Sequence, residues 1–228
     1  MPHIVRRIMQ DMTTRRRRWM AIVLVVVLAG AASMFVPAIR TRVLRAAGRT
    51  LVITNRSVEP ADIIVVAIDA DGAGVLEAAD LVHEGVSTRV AVFGDPPDRT
   101  DREFIRRSVP YEDRAERSIQ QLKALGVEAT EQIPTAVAGT EDEGRVLPDW
   151  CDQRGFRSVV IVSLSDHSRR LRRVLHRSMK GHGTKVTVRV ARYSAFNPDQ
   201  WWTTRDGIRS GIVELQKLIL DLVRHPIS

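Results

Sequence analysis

One short segment of the chain combines residue types that could do acid–base chemistry. Ser165-Asp166-His167-Ser168 follows an apolar run, and Arg170 comes three residues after His167. An imidazole can accept or donate a proton near neutral pH, and a guanidinium one helical turn later can bind an anion at the same loop. The same residues could also form a helix cap whose imidazole faces solvent, and the pattern leaves both interpretations open.

A second candidate group is Thr140-Glu141-Asp142-Glu143, which opens a predicted helix. The spacing Thr-x-x-Glu is typical of a capping box, in which both side chains bind backbone amides of the first turn and no ligand is needed. The pattern alone favours this structural role. The functional alternative is that Glu143 faces a cleft, where it would transfer a proton or bind a ligand.

Three aspartates could bind a divalent cation. Asp69 and Asp71 follow the first apolar run as Asp-x-Asp-Gly, and Asp95 follows the second run. Carboxylates are the oxygen ligands that Mg²⁺ prefers, and this arrangement resembles the start of haloacid-dehalogenase-type phosphatases. In that family the acidic metal loop comes last, whereas here it comes second. Asp69, Asp71 and Asp95 are therefore the predicted metal ligands, and a phosphatase of this type is the less favoured function.

Regular elements must position these groups, and the sequence predicts strands that alternate with helices. Apolar runs indicate strands at 62–68, 89–93, 131–137, 158–163 and 185–191. Helical patterns lie at 75–84, 112–125, 141–154, 168–179 and 206–223. This alternation predicts an α/β fold with a mostly parallel sheet. Ligands bind beyond the carboxyl ends of such strands, and the candidate cofactor-binding residues there are Gly94, Thr140, Ser165 and Asp166.

The net charge of +8 is confined to one part of the chain. Residues 1–50 contain ten of the 35 basic residues and one of the 27 acidic ones, so this segment carries +9 and the rest carries −1. A domain that binds the nucleic-acid backbone is expected to carry a basic surface. The near-neutral remainder therefore argues against a nucleic-acid partner.

The N-terminal segment predicts a membrane anchor. Residues 19–39 contain no charged side chain, and as a helix they would span a hydrocarbon core of ~30 Å. More arginines precede the span than follow it, which favours an N-terminus in the cytoplasm and an extracytoplasmic domain. We therefore predict a cytoplasmic tail at 1–18, an anchor at 19–39, a stem at 40–58 and a domain at 59–228. A cleaved signal peptide and a start at Met12 are the alternatives.

Three segments in order resemble one known family. The matching segments are PADIIVVAI with VLEAADLVHEG, then TEDEGRVLPDWCDQRGFRSVVIVSLSDHSRR, and finally FNPDQWWTTRDGIRSGIVELQKLI. Together they resemble the YdcF-like proteins, which include SanA and ElyC (domain of unknown function family 218). The resemblance implies a Rossmann-like three-layer sandwich, a single membrane anchor and a role in assembling the cell wall or surface polysaccharides. One branch of the family binds S-adenosylmethionine.

The resemblance also implies which residues matter. The positions that match the family's motifs are Thr140, Glu143, His167, Arg170, Trp202, Arg205, Glu214 and Lys217. This sequence departs from the family after the first strand, where Gly74 stands about where an arginine is expected. It departs again after the second strand, where Gly94-Asp95-Pro96 replaces a glycine-rich loop. Two loops that would suit an anion have thus become acidic.

The expected function follows from these residues and the resemblance. We expect a cell-envelope protein that binds or processes a phosphate-containing precursor, with the lipid bilayer and polysaccharide-assembly proteins as partners. His167 would be the acid, base or oxyanion donor, and Arg170 would hold the anion. Glu143 would be the partner carboxyl group that orients His167 or supplies a proton. A membrane-tethered scaffold without catalysis is the alternative function.

Overall fold

Five parallel strands form one sheet in the computed structural model, which describes residues 36–54 and 57–226. The strands are β1 (Ile63–Val66), β2 (Arg89–Phe93), β3 (Ala129–Ile133), β4 (Ser158–Ser163) and β5 (Lys185–Val190). They lie side by side in the order β3-β2-β1-β4-β5. The predicted α/β class with a parallel sheet is confirmed.

Seven α-helices are found in the described part of the chain. They are α1 (Pro37–Leu51), α2 (Asp71–His83), α3 (Arg99–Arg106), α4 (Arg114–Ala124), α5 (Thr140–Arg154), α6 (Ser168–Ser178) and α7 (Arg205–Arg224), with a 3₁₀ turn at Trp201–Thr203. Five of them match predicted helices. The sequence missed α3 because this helix buries no residue and has no apolar stripe toward the core.

The core surrounds the central strands. All four residues of β1 are buried, and the last four residues of β2 are buried as well. A parallel strand covered by helices on both faces reads as a continuous apolar run, which explains why the sequence predicts β1 and β4 well. Each fully buried isoleucine or leucine there contributes about 1.5–3 kcal/mol. The sheet is therefore a rigid base for the loops that leave its carboxyl edge.

Part of the segment predicted as a stem packs on the domain. The compact unit that contains the sheet begins at Ala47, and the predicted boundary at residue 59 lies within this unit. Leu51 and Ile53 are buried, and the backbone N–H of Ile53 donates to Ser168 Oγ at 3.1 Å. These apolar side chains fill space beside the first turn of α6, which a solvated stem would leave open.

The predicted membrane anchor falls almost entirely outside the described residues. Composition predicts the apolar span at 19–39, and only its last residues, from 36 onward, are described. Within the ranges 36–54 and 57–226, no helix is long and apolar enough to cross a membrane. The anchor stays a prediction.

Candidate functional site

The candidate site lies where the strand order reverses, between β1 and β4. These two strands pair in parallel with Val66 opposite Val162, so the segments that follow them leave the sheet at the same edge. Ligands of open α/β folds bind in the crevice at such a reversal. Asp69 comes from the segment after β1, and His167 comes from the segment after β4. Asp69 Oδ2 lies 4.0 Å from His167 Nδ1, so the segments after β1 and β4 come together here.

Glu214 of α7 is the centre of a buried ion-pair cluster. Its side chain is 1% exposed. Oxygen Oε2 lies 3.1 Å from His167 Nδ1 and accepts from Arg170 Nε at 3.0 Å. Lys217 Nζ lies 2.8 Å from the other oxygen, Oε1. One carboxylate thus holds three cationic side chains, and it fixes the orientation of the His167 ring.

The ion pairs change the titration of both partners. Burial acts to raise the pKa of Glu214, but the hydrogen bonds and charges of His167 and Arg170 outweigh it and lower the pKa to about 2. Burial likewise acts to lower the pKa of His167, but Glu214, Asp166 and Asp69 together raise it above its ordinary value. The imidazolium form of His167 is therefore stabilised, with Nδ1 held by Glu214.

Glu143 is the second titratable group at this edge of the sheet. Its side chain is 1% exposed, and Oε1 accepts a hydrogen bond from the backbone N–H of Ile68 at 2.8 Å. Burial raises the pKa of Glu143 to about 7; the Ile68 N–H opposes the rise, and the charge of Asp69 adds to it. A carboxyl group with a pKa near neutrality is suited to take or give a proton.

The predicted capping box at the start of α5 is wrong. The helix is preceded by Gly139, and no side chain caps its first turn. Glu143 points instead to the end of β1, where it bonds to Ile68. Thr140 is buried at the start of the helix. The sequence pattern Thr-x-x-Glu could not reveal this, because the backbone amide that Glu143 binds is 75 positions away in the chain.

The predicted divalent-cation site is not present in the structure. Arg114 of α4 extends between two of the three aspartates, with Nη1 3.2 Å from Asp71 Oδ1 and Nε 3.4 Å from Asp95 Oδ2. Asp69 lies elsewhere, with Oδ2 4.0 Å from His167 Nδ1. Across the described ranges, no three His, Cys, Asp or Glu side chains are grouped so that they could hold a metal ion. A guanidinium thus lies between the carboxylates where a cation was expected.

Arg114 is also a residue of the candidate site that the sequence missed. It donates from Nη1 to the backbone oxygen of Ile68 at 3.3 Å, so it borders the segment that carries Asp69. The resemblance led us to expect an arginine near Gly74, directly after β1. A cation from a different helix occupies this end of β1 instead. Only a contact between α4 and the end of β1 could have revealed it, and the sequence carries no such signal.

The predicted cofactor-binding residues have different roles. The Ser165 hydroxyl already makes hydrogen bonds within the protein, since its Oγ lies 2.8 Å from Ser194 Oγ and 3.0 Å from the backbone oxygen of Phe196. Gly94 lies against Gln132, where an added Cβ would approach Nε2 to 2.4 Å. Asp166 is different, because its buried Oδ1 has no hydrogen-bond partner and its Oδ2 is 4.0 Å from His167 Nε2. Asp166 therefore keeps a buried acceptor atom that the described residues leave unpaired.

Two residues of the resembling C-terminal segment lie apart from the cluster. Trp202 packs edge to face against Trp201, with ring centroids 6.3 Å apart, and Arg205 begins α7 on the surface. Trp201 is buried, and an added Cβ on Gly211 would lie 2.5 Å from its ring. The tryptophans therefore fix the start of α7, which carries Glu214 into the site.

Two cavities of the described chain lie away from this cluster. A groove of about 710 Å³ runs between α6 and β5 and is lined by residues such as Arg172, His176 and Val186. A smaller cavity of about 320 Å³ lies beside Trp150. Neither is lined by Glu143, His167 or Arg170. We base the site on the convergent titratable groups, because cavity size alone carries no chemistry.

Comparisons with known proteins add little to this geometry. No protein-family model matches the chain, and no curated protein matches it. A solved structure with some similarity is that of HcgE from Methanothermobacter marburgensis, bound to guanylylpyridinol and ATP. The TM-score is 0.26 at 12% identity, over 76% of this chain and 100% of that one. A likeness of this size carries no argument about the ligands of this chain.

Proposed function

We propose that the chain is a membrane-anchored, YdcF-like protein of the cell envelope, whose site between β1 and β4 performs acid–base chemistry on a phosphate-containing precursor. One observation carries the proposal. Glu143, with its pKa near 7, and His167, held by Glu214, lie at the ends of two adjacent strands. Further support is that five of the eight positions that carry the resemblance lie together: Glu143, His167, Arg170, Glu214 and Lys217.

Glu143 acts as the base and His167 as the acid of a hydrolase or transferase. Ionised Glu143 accepts a proton from the attacking water or hydroxyl, whose oxygen forms the new bond to phosphorus. Protonated His167 gives the proton on Nε2 to the leaving oxygen as the old phosphorus–oxygen bond breaks. Because Glu214 holds Nδ1, Nε2 is the ring nitrogen left to act on the substrate, and Asp166 Oδ2 lies 4.0 Å from it. Arg170 and Arg114 supply the positive charge that the phosphate needs.

The test is turnover by the full chain in detergent micelles, with bis(p-nitrophenyl) phosphate and a sugar nucleotide as substrates. His167→Asn and Glu143→Gln are each expected to lower kcat by about 10²–10⁴-fold. Glu141→Gln is the matched control, since it removes an exposed carboxylate from the same turn of α5. Wild-type turnover that both site variants retain would contradict the proposal.

The pH profile tests the assigned roles separately. The reaction needs ionised Glu143, so kcat is expected to rise as pH passes about 7. It also needs protonated His167, whose pKa is raised, so kcat falls again at higher pH. Glu143→Gln is expected to remove the rising limb from any residual activity. A rising limb that survives in this variant would assign the base to another residue.

A scaffold without catalysis is the second candidate function. It is favoured by the fact that Glu214 already pairs with both His167 and Arg170, so that the cluster can serve to join α6 and α7. In that case the full chain has no turnover, and Glu143→Gln leaves its function in the envelope unchanged.

A further inference from the structure

Helix α7 has large apolar side chains at seven of its thirteen solvent-exposed positions. Toward the domain it buries Gly211, Glu214, Leu218 and Asp221, and two of these four side chains are charged. The carboxylates pair with arginines of α6: Glu214 with Arg170, and Asp221 with Arg173 and Arg177. The exposed side carries large apolar residues at 40–73% exposure: Ile208, Ile212, Val213, Ile219, Leu220, Leu222 and Val223. An ordinary surface helix buries its apolar residues and exposes its charged ones, whereas α7 buries two carboxylates and exposes seven large apolar side chains.

The exposed apolar surface is large enough for an interface. At these exposures the seven side chains present on the order of 600 Å², of which Val213 and Leu220, outside the seam described below, supply roughly a quarter. A patch of this size on a monomer usually marks an interaction site, and a standard interface buries roughly 800 Å² per partner. A contact that includes the polar rim of α7 would reach that size.

The spacing of the apolar residues identifies the kind of partner. Ile208, Ile212, Leu215, Ile219 and Leu222 follow one another by four, three, four and three residues. This is the heptad spacing of a coiled coil, with isoleucine at the a positions 212 and 219 and leucine at the d positions 215 and 222. That choice of residues favours two parallel strands. A lipid surface would require only an apolar face and would not select this spacing or this alternation of side chains.

We propose that a second copy of this chain docks on this seam, so that α7 of each copy packs in parallel and in register against α7 of the other. Such a pairing is isologous, with the same patch on both subunits. The flanking e positions are Arg209, Gln216 and Val223, and the g positions are Gly211 and Leu218. No like charges therefore face each other across the seam. The seam is about 21 Å long at 1.5 Å per residue, and its helix is already held by the domain.

The dimer would also bear on the site, because the same helix carries Glu214. Pairing of α7 fixes the element that holds His167 and Arg170 in place. This consequence does not depend on the proposed chemistry, since it follows from the position of Glu214 alone. The oligomeric state and the turnover are therefore measured in separate experiments, and either proposal can fail without the other.

The test is disulfide cross-linking of the full chain in detergent micelles. Cys151 is the chain's single cysteine and is buried, so Ile212→Cys or Ile219→Cys introduces the one accessible thiol. Mild oxidation is expected to give a species of twice the mass of the 25.6 kDa chain. Leu220→Cys is the matched control, because this position is 47% exposed on the same helix but lies off the seam.

Light scattering of the uncross-linked chain gives an independent measurement. The wild type is expected to be a dimer, and Ile219→Asp is expected to be a monomer with an unchanged circular dichroism spectrum, because the side chain is 59% exposed. A monomeric wild type, or equal cross-linking at positions 219 and 220, would overturn the proposal. If no cross-link formed, and anionic phosphatidylglycerol added to the micelles instead protected Ile219→Cys from maleimide, the seam would be a lipid-binding face.

Discussion

Replacing Glu143 with glutamine is expected to make the folded chain more stable at alkaline pH. Glutamine keeps the shape of the side chain and an oxygen that can accept from the Ile68 N–H. What it removes is a buried group that must ionise as pH rises. The expected gain is unusual, because most substitutions of buried residues destabilise a protein.

The magnitude follows from the pKa of Glu143, which burial raises from 4.5 to about 7. Below pH 4.5 the carboxyl is protonated in both states and has no effect on stability. Between pH 4.5 and 7 the unfolded chain loses a proton that the folded chain keeps, so the unfolding free energy falls as pH rises. A tenfold difference in the acid dissociation constant between the two states corresponds to about 1.4 kcal/mol, which gives a penalty of about 3 kcal/mol above pH 7. Glutamine removes this penalty.

The assay is urea denaturation of wild type and Glu143→Gln at pH 4 and at pH 8.5. The difference in unfolding free energy between the two chains is expected to change by about 3 kcal/mol in favour of the variant. For a domain of this size that corresponds to about 6–12 °C in Tm. Glu141→Gln is the control, since water solvates this exposed carboxylate in both states. A difference that stays constant between the two pH values would refute the reasoning.

Three further predictions concern the packing around the site. Glu214→Gln leaves Arg170 buried without a carboxylate and is expected to cost about 3–5 kcal/mol in urea denaturation; a loss below about 1 kcal/mol, as for an exposed pair, would mean that water reaches the arginine. Gly144→Ala puts a methyl group 2.5 Å from Val174 Cγ1, and such overpacking is expected to lower stability by about 1–3 kcal/mol in thermal denaturation. Cys151 is buried, and burial raises the pKa of its thiol to about 12, so maleimide should modify it only in denaturant; labelling of the folded chain would contradict its placement.

The strands can be predicted from the sequence where burial alone decides them. The predicted strands at 89–93 and 158–163 have the bounds that the structure has, because central parallel strands are continuous apolar runs. The third strand is predicted at 131–137 but lies at Ala129–Ile133. It is an edge strand in which only Ile133 is buried, so its polar residues give little sign of where it begins.

The site is predictable only in part, because its contacts join distant parts of the chain. His167 follows a predicted strand, so the strand-end rule points to its loop, while only the resemblance distinguishes Arg170 from the neighbouring arginines. The local pattern favours a capping role for Glu143, since its partner Ile68 is far away in sequence. Arg114 has no signal of its own, and its contact with Asp71 and Asp95 replaces the expected metal site. Local pattern therefore locates the loops of the site, whereas tertiary contacts decide which charged side chains meet there.

The hydrogen bond between Ile53 and Ser168 connects the start of the domain to the turn that carries His167. Ser168 Oγ receives this bond from Ile53 and donates to the backbone oxygen of Ser165 at 2.7 Å. It is the first residue of α6 and directly follows His167. A pull on the chain before residue 53 would thus act mechanically on the turn that positions the imidazole of His167. In the proposed membrane-anchored protein, tension on the N-terminal tether would therefore act on the proposed site, and proteolysis before residue 53 would remove it.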